Sequence, residues 1–315
     1  MKRKVRIVIN KSEITAGTRG ASLGPEAIMT AARTAKDSFF VNYPPRFIKD
    51  QNHAIDGSYR HNHAIRIEFL EKVMDTLVDE ISQVYKEGEF PLVLAGDHGS
   101  AAGTIAGIKS NYIHEKLGVV WIDAHGDLHT PYTTPTGNMH GMPLAIALAD
   151  DNLDCKINDV DANSETAWQR LKDKGHAGAK MTPENLKFIG LRDTEEQEDY
   201  LIKKHNIRNV KVQELRDKTF SGLKEEFQTW IDSLDILYVS FDVDSMDPDV
   251  VSYGTGTPVK NGITPTEALE MLTFFAKQPK LVCLEIVEVN PCLDNKTNKM
   301  AQTTFEILKK TVENL

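Results

Sequence analysis

The chain has 315 residues, with 37 Lys plus Arg against 46 Asp plus Glu and a formal net charge of −9. That acidic balance excludes a general binder of nucleic acid or anionic membrane, because such partners need a positive field. At 40% hydrophobic and 26% charged residues, the chain can bury a large core without staples, which excludes disorder and miniature scaffolds.

The basic opening Met1-Lys2-Arg3-Lys4 imitates a secretory n-region. The apolar run behind it, Val5 to Ile9, is interrupted by Arg6 and is too short for a signal core, so it reads as a first strand. Ile65, Phe69, Val73, Leu77, Ile81 and Val84 then recur at helical spacing and predict a long amphipathic helix. Leu92 to Leu94, Val119 to Ile122, Phe188 to Ile189, Ile236 to Phe241 and Leu281 to Ile286 are short apolar runs of the kind that strands buried on both faces show. Asp150 to Lys180 lacks sheet signals and reads as a surface insertion of loops and a short helix. Thr264-Pro265-Thr266-Glu267 is a helix start, with N-cap, proline at the first helical position and capping-box glutamate. A last helix runs from about Met300 to the C-terminus.

This alternation predicts an α/β fold, a parallel sheet with helices on both faces. With no repeat, low-complexity tract or linker, residues 1–315 are expected to form a single domain. No apolar stretch approaches the roughly 20 residues that span a bilayer. The cysteines Cys155, Cys283 and Cys292 form no CxxC and no even framework, which suits a reducing compartment and predicts a cytoplasmic protein.

His98, Asp123, His125, Asp127, Asp242 and Asp244 all fall immediately after apolar strand runs. In open parallel sheets the carboxyl ends of strands are where ligands bind, so residues far apart in sequence can converge there. An Asp or His after a strand is by itself usually a turn former or a helix cap. Two carboxylates and an imidazole packed into Asp123-Ala-His125-Gly-Asp127 are harder to explain that way, since buried acids repel unless a cation compensates. Four aspartates and two histidines without a thiolate favour Mn²⁺ ahead of Zn²⁺ or Mg²⁺. Six ligands suffice for two ions, and such pairs activate water for hydrolysis.

These residues also carry a resemblance. Gly96-Asp-His98, Asp123-Ala-His125-Gly-Asp127, Gly137-Asn138-Met139-His140-Gly141, Ser240-Phe-Asp242-Val-Asp244-Ser-Met-Asp247-Pro248 and Glu288-Val-Asn-Pro291 resemble, in order, the ureohydrolase family, most closely its arginase branch. Gly17-Thr18-Arg19-Gly20-Ala21 and Gly24-Pro25 extend the resemblance to nearly the whole chain. It implies a three-layer α/β/α fold around a parallel sheet of about eight strands, and a centre of two Mn²⁺ per chain. His98, Asp123, Asp127 and Asp242 would hold one ion; Asp123, His125, Asp242 and Asp244 would hold the other. The implied reaction is attack of a metal-bridging hydroxide on the guanidinium carbon of L-arginine, giving L-ornithine and urea. Asp127 would pass a proton to the leaving amine, His140 would serve as the mobile proton-transfer group, and Glu288 would pair with the guanidinium. The family also implies a homo-oligomer, a trimer or hexamer.

Substrate choice rests on weaker signals. Arginine differs from agmatine by its α-carboxylate, which His129, Thr136 and Asn138 would hold by resemblance. Arginases usually carry asparagine where this chain has His129 and serine where it has Thr136, and both replacements can still donate hydrogen bonds. Glu195 matches an aspartate that contacts the substrate amino group, Glu198 matches a second acid nearby, and Thr257 lies in Gly254-Thr-Gly256-Thr257-Pro258-Val259, which resembles the arginase version of that loop. Agmatinase or guanidinobutyrase activity is the alternative. A noncatalytic metal-binding protein would have been favoured by loss of a ligand, of His140 or of Glu288, and none is lost. A dinucleotide-binding oxidoreductase lacks support, because no GxGxxG follows a strand.

Overall fold

A computed structural model describes residues 2–315. The chain opens with β1 (Val5–Asn10), α1 (Gly24–Thr34), the short α2 (Phe39–Asn42) and β2 (Arg46–Phe47), and continues through α3 (Ile67–Lys86) to β3 (Phe90–Ala95). Next come α4 (Ala101–Asn111), β4 (Leu117–Ile122), α5 (Pro143–Leu148), α6 (Ala162–Lys172) and β5 (Leu186–Ile189). The last third holds α7 (Glu196–Lys204), β6 (Arg208–Val210), α8 (Val212–Asp232), β7 (Ile236–Asp242), α9 (Pro265–Ala276), β8 (Leu281–Val287) and α10 (Lys299–Val312).

The strands form one sheet in the order β2-β1-β3-β8-β7-β4-β5-β6, with every pairing parallel. Alternate residues of each strand face opposite layers. Ile7, Ile9, Leu92, Leu94, Val120 and Ile122 pack with Ile28 of α1, Phe227 of α8, Leu272 of α9 and Phe305 of α10. Val8, Val93, Val119 and Trp121 pack with Ile81 of α3 and Ile105 of α4 on the other side. Helices therefore cover both faces, in the three-layer arrangement that the sequence and its resemblance imply. Among the described residues, no helix is long and apolar enough to cross a membrane.

The six strands expected from apolar runs are present, each extended by at most a few residues. The edge strands β2 and β6 escape a hydrophobicity reading because they are two and three residues long and half-polar. Short edges of this kind also limit unwanted pairing with other chains. The long helix starts at Ile67, just past Ile65, and Asp150–Lys180 is loop plus α6, capped by Asp161 accepting from the Asn163 and Ser164 amides. At α9 the Thr264 hydroxyl accepts from the Glu267 amide and the Glu267 carboxylate accepts from the Thr264 amide.

The strand order positions the site. The four central neighbours β3, β8, β7 and β4 deliver, from their C-terminal ends, His98, Glu288, Asp242 to Asp244 and Asp123 to Asp127 respectively. Because β7 and β8, late in sequence, insert between β3 and β4, segments separated by more than a hundred residues meet at one end of the sheet.

Candidate active site

Asp123, Asp127, Asp242 and Asp244 are all buried, at 5% exposure or less, together with His98. His98 Nδ1 lies 2.9 Å from Asp123 Oδ2, 3.2 Å from Asp127 Oδ2 and 3.1 Å from Asp242 Oδ2. Neither His98 Nδ1 nor Asp123 Oδ2 makes an aligned hydrogen bond, although both are buried. Nδ1 is instead crowded by three carboxylate oxygens within 3.2 Å. The other ring nitrogen, Nε2, is 2.8 Å from Ser240 Oγ, and Trp121 stacks on the ring with centroids 4.0 Å apart. A proton on Nε2 shared with Ser240 leaves Nδ1 free to act as a ligand, which is how ligating histidines are commonly oriented.

A second group adjoins the first. His125 Nδ1 lies 3.0 Å from Asp244 Oδ2 and 3.5 Å from Asp123 Oδ1. Ligand atoms of His98, Asp123 and Asp127 lie within 4.8 Å of one another, as do those of Asp123, His125 and Asp244, so Asp123 belongs to both groups. Backbone amides hold the acids: Asp123 Oδ1 accepts from the His125 N–H and Asp242 Oδ1 from the Asp244 N–H. Asp127 adopts a φ of 52°, a left-handed conformation that costs energy for a residue with a Cβ and aims its side chain back at the strand ends.

The electrostatics show what the group lacks. Burial, then Asp244 and Asp123, push the Asp242 carboxyl well above its ordinary range, and burial with Asp123 raises Asp127. Asp123 stays low because the adjacent His125 and His98 imidazoles outweigh burial. Burial would lower both imidazoles, but the surrounding carboxylates raise them instead. Two imidazoles are too few to compensate these acids, and oxygen and nitrogen donors gathered this closely suit divalent cations. The residues fit a metal centre.

A cavity of about 240 Å³ opens above it, lined by His125, Asp127, His129, Thr136, Asn138, His140, Glu195, Glu198 and Thr257 among others. His140 is half-buried, and burial lowers its pKa, so it is neutral near pH 7. Its segment is held by Gly137, whose φ is 80° and whose missing Cβ makes room for the Asn62 carbonyl. Glu288, at a φ of 68°, is buried; its Oε1 accepts from the His98 amide 2.8 Å away, and burial followed by Asp97 pushes it up to about 8. Thr257 Oγ1 donates to Asp244 Oδ2 at 3.1 Å.

Residues 4–312 match the model of the arginase family. The chain belongs to that family. It is 33% identical to an arginase of Brevibacillus brevis over 96% of each chain, and 36% identical to an arginase of Bacillus caldovelox over 74% of this chain and 72% of the relative. Among solved structures, arginase from Bacillus cereus superposes with a TM-score of 0.81 at 28% identity, covering 98% of both chains. Family membership accounts for the metal-suited cluster at the sheet end, since the arginase family is metal-dependent.

All six ligand candidates from the sequence thus come together, and His140 and all the substrate-binding candidates line the cavity above them. Glu288 sits behind, against the His98 amide. Three supporting residues were not singled out from sequence. Ser240 orients His98, and its position two residues before Asp242 on one strand was the available signal. Asp97, fully buried, accepts from Ser12 Oγ at 2.8 Å and from the Thr15 amide at 3.1 Å, tying the loop after β1 to the site. Arg192 donates to the backbone carbonyls of Gly190, Asp244, Val259 and Lys260, and so fastens the Thr257 loop to the Asp244 segment.

Proposed function

We propose that the protein is an arginase: a hydrolase that cleaves the guanidinium of L-arginine to L-ornithine and urea with two Mn²⁺ per chain. The observation that carries this reading is the convergence of His98, Asp123, His125, Asp127, Asp242 and Asp244 at the floor of a cavity sized for a small molecule, in a chain related over nearly its full length to a named arginase. His98, Asp123, Asp127 and Asp242 would hold one ion and Asp123, His125, Asp242 and Asp244 the other. Bound there, the metal pair supplies charge neutralisation and a water activated for attack.

The protein's own groups do the rest. Glu288, whose Oε1 is held by the His98 amide, ionises as the cationic guanidinium approaches and pairs with it, which orients the planar carbon over the floor. Asp127, facing both floor and cavity, receives the proton of the attacking water and delivers it to the departing nitrogen as the carbon–nitrogen bond breaks. His140, neutral in its half-buried position, carries a proton between the cavity and bulk water, so the leaving amine departs as ammonium. Thr257 steadies Asp244 from the rim. Residues 1–315 work as one domain in the cytoplasm, which the three free cysteines support, and assemble as a trimer or hexamer.

The test is urea and ornithine release by Mn²⁺-loaded protein from L-arginine, agmatine and 4-guanidinobutyrate in parallel. L-arginine is expected to give the highest kcat/KM. A preference for agmatine or guanidinobutyrate would reassign the substrate, and no urea from any of them would overturn the reading.

A further inference from the structure

Among the residues that line the cavity, one side chain has already spent its hydrogen-bonding capacity. His129 Nδ1 lies 3.2 Å from Thr133 Oγ1, and Nε2 lies 2.9 Å from Glu195 Oε2. Thr133 Oγ1 in turn accepts from the Thr130 amide at 2.9 Å, so the turn that carries the imidazole is itself tied down. An imidazole has two hydrogen-bonding positions, and both are used within the protein. His129 is 6% exposed, whereas the Glu195 side chain is 53% exposed and lines the cavity. Beneath them Glu198, 2% exposed, accepts from the Leu128 amide at 3.1 Å and the Glu195 amide at 3.2 Å, pinning the start of α7 to the loop after β4.

We infer, resting on the arginine-hydrolysing reading above, that His129 is a positioning residue: it holds the Glu195 carboxylate over the cavity to receive the ammonium group of the substrate, and leaves the substrate carboxylate to Thr136 and Asn138. Three observations support this. Glu195 stands at the N-cap of α7, and its bond to His129 helps fix this long side chain in advance, which removes an entropy cost that binding would have to meet. Glu195 is the exposed carboxylate of this cluster and lines the cavity, whereas Glu198 is buried beneath it and committed to backbone amides, so Glu195 is the acid that an incoming ammonium meets. Thr136 and Asn138 also line the cavity, outside the His129–Glu195–Glu198 cluster, and their hydroxyl and amide can donate to a carboxylate. His129 thus acts on the substrate through Glu195.

Three guanidino compounds separate this role from direct contact with the carboxylate. L-arginine carries both groups, agmatine only the ammonium and 5-guanidinovalerate only the carboxylate. Replacing His129→Ala should lower kcat/KM for L-arginine and for agmatine by a similar factor, about 10- to 100-fold, mainly through KM, and change 5-guanidinovalerate by less than about threefold. Glu195→Gln should show the same pattern, and the double variant should be no worse than Glu195→Gln alone, because one interaction cannot be lost twice. His129→Gln, whose amide nitrogen can occupy the place of Nε2, should recover much of the loss. A His129→Ala loss shared by L-arginine and 5-guanidinovalerate with agmatine spared would overturn the inference in favour of direct carboxylate contact. An equal loss on all three compounds, with reduced metal content by elemental analysis, would overturn it in favour of simple support of the floor. If His129→Ala does not fold, the Glu195→Gln and His129→Gln pair decides by the same substrate pattern. Wild-type protein inert toward all three compounds would instead refute the functional reading on which the inference rests.

Discussion

At the two ends of the sheet, buried carboxylates are treated in opposite ways. Glu89, entering β3 at its N-terminal end, has a side chain only 2% exposed, and it accepts from Arg6 Nε at 2.5 Å, Arg6 Nη2 at 2.9 Å and Lys4 Nζ at 2.8 Å. Those bonds outweigh burial and hold it at about 2. At the C-terminal end of the sheet, Asp127 and Asp242 have more acids than bases around them and are raised. One end satisfies its charge within the chain and gains stability. The other leaves charge unsatisfied and gains a place for cations. Location of ionisable groups on this sheet therefore separates stability from chemistry, and each variant below tests one side of that division.

The largest effect should follow Asp242→Asn, which keeps the acceptor for the Asp244 amide but removes a charge proposed to bridge two ions. Urea release should fall to background and bound metal should drop below two ions per chain, while the metal-free protein keeps or gains stability, since an acid whose folded pKa is raised costs stability at neutral pH. In wild type, adding Mn²⁺ should raise Tm, because a ligand bound only by the folded state stabilises it; in Asp242→Asn that rise should shrink. Elemental analysis and thermal melts with and without Mn²⁺ measure both. Two ions in an active variant would break the contrast.

His140→Asn comes next. It removes a proton carrier that makes no hydrogen bond to a proposed ligand, so urea release should drop by about 10²- to 10⁴-fold with metal content unchanged. Ser240→Ala should do the reverse. Freeing His98 Nε2 should weaken metal affinity by roughly 10- to 100-fold, read by titration calorimetry, while kcat at saturating metal changes much less. If both variants altered metal affinity equally, floor and cavity could not be treated as separate parts.

Legibility from sequence followed the same physical lines. Strands buried on both faces must be continuous apolar runs, so β3, β4, β7 and β8 were readable, and so were the charges that follow them. Thr264 and Glu267 lie three residues apart in one helix start, and a local motif of that kind is complete within a short window. Arg46–Phe47 and Arg208–Val210 pair along one side only at the sheet's edges, where polar residues are tolerated and no apolar signal is required. Ser240 is a serine inside a strand, without a signal of its own until His98, 142 residues earlier, is placed against it. The His129–Glu195 bond spans 66 residues between two loops, so sequence could suggest what each might contact but not that they contact each other.

The smallest effect belongs to the opposite end of the sheet. Glu89→Gln keeps an acceptor for Arg6 but removes the charge, and the loss of charge-assisted bonds should cost roughly 1–3 kcal/mol at pH 7. The sign of its pH dependence follows from the direction of the shift. An acid whose folded pKa lies below its unfolded value of ~4.3 stabilises the fold above that value, and loses the contribution as pH falls toward the folded one. The difference between wild type and Glu89→Gln should therefore be full at pH 7, begin to shrink below about pH 4.5 and continue to narrow toward pH 2. Urea-denaturation midpoints across that range measure it. Metal content and kcat/KM for L-arginine should stay at wild-type values, since Glu89 lies at the end of β3 remote from His98. A fall in either would mean that the two ends of the sheet are coupled, and that the division between a stabilising and a reactive end does not hold.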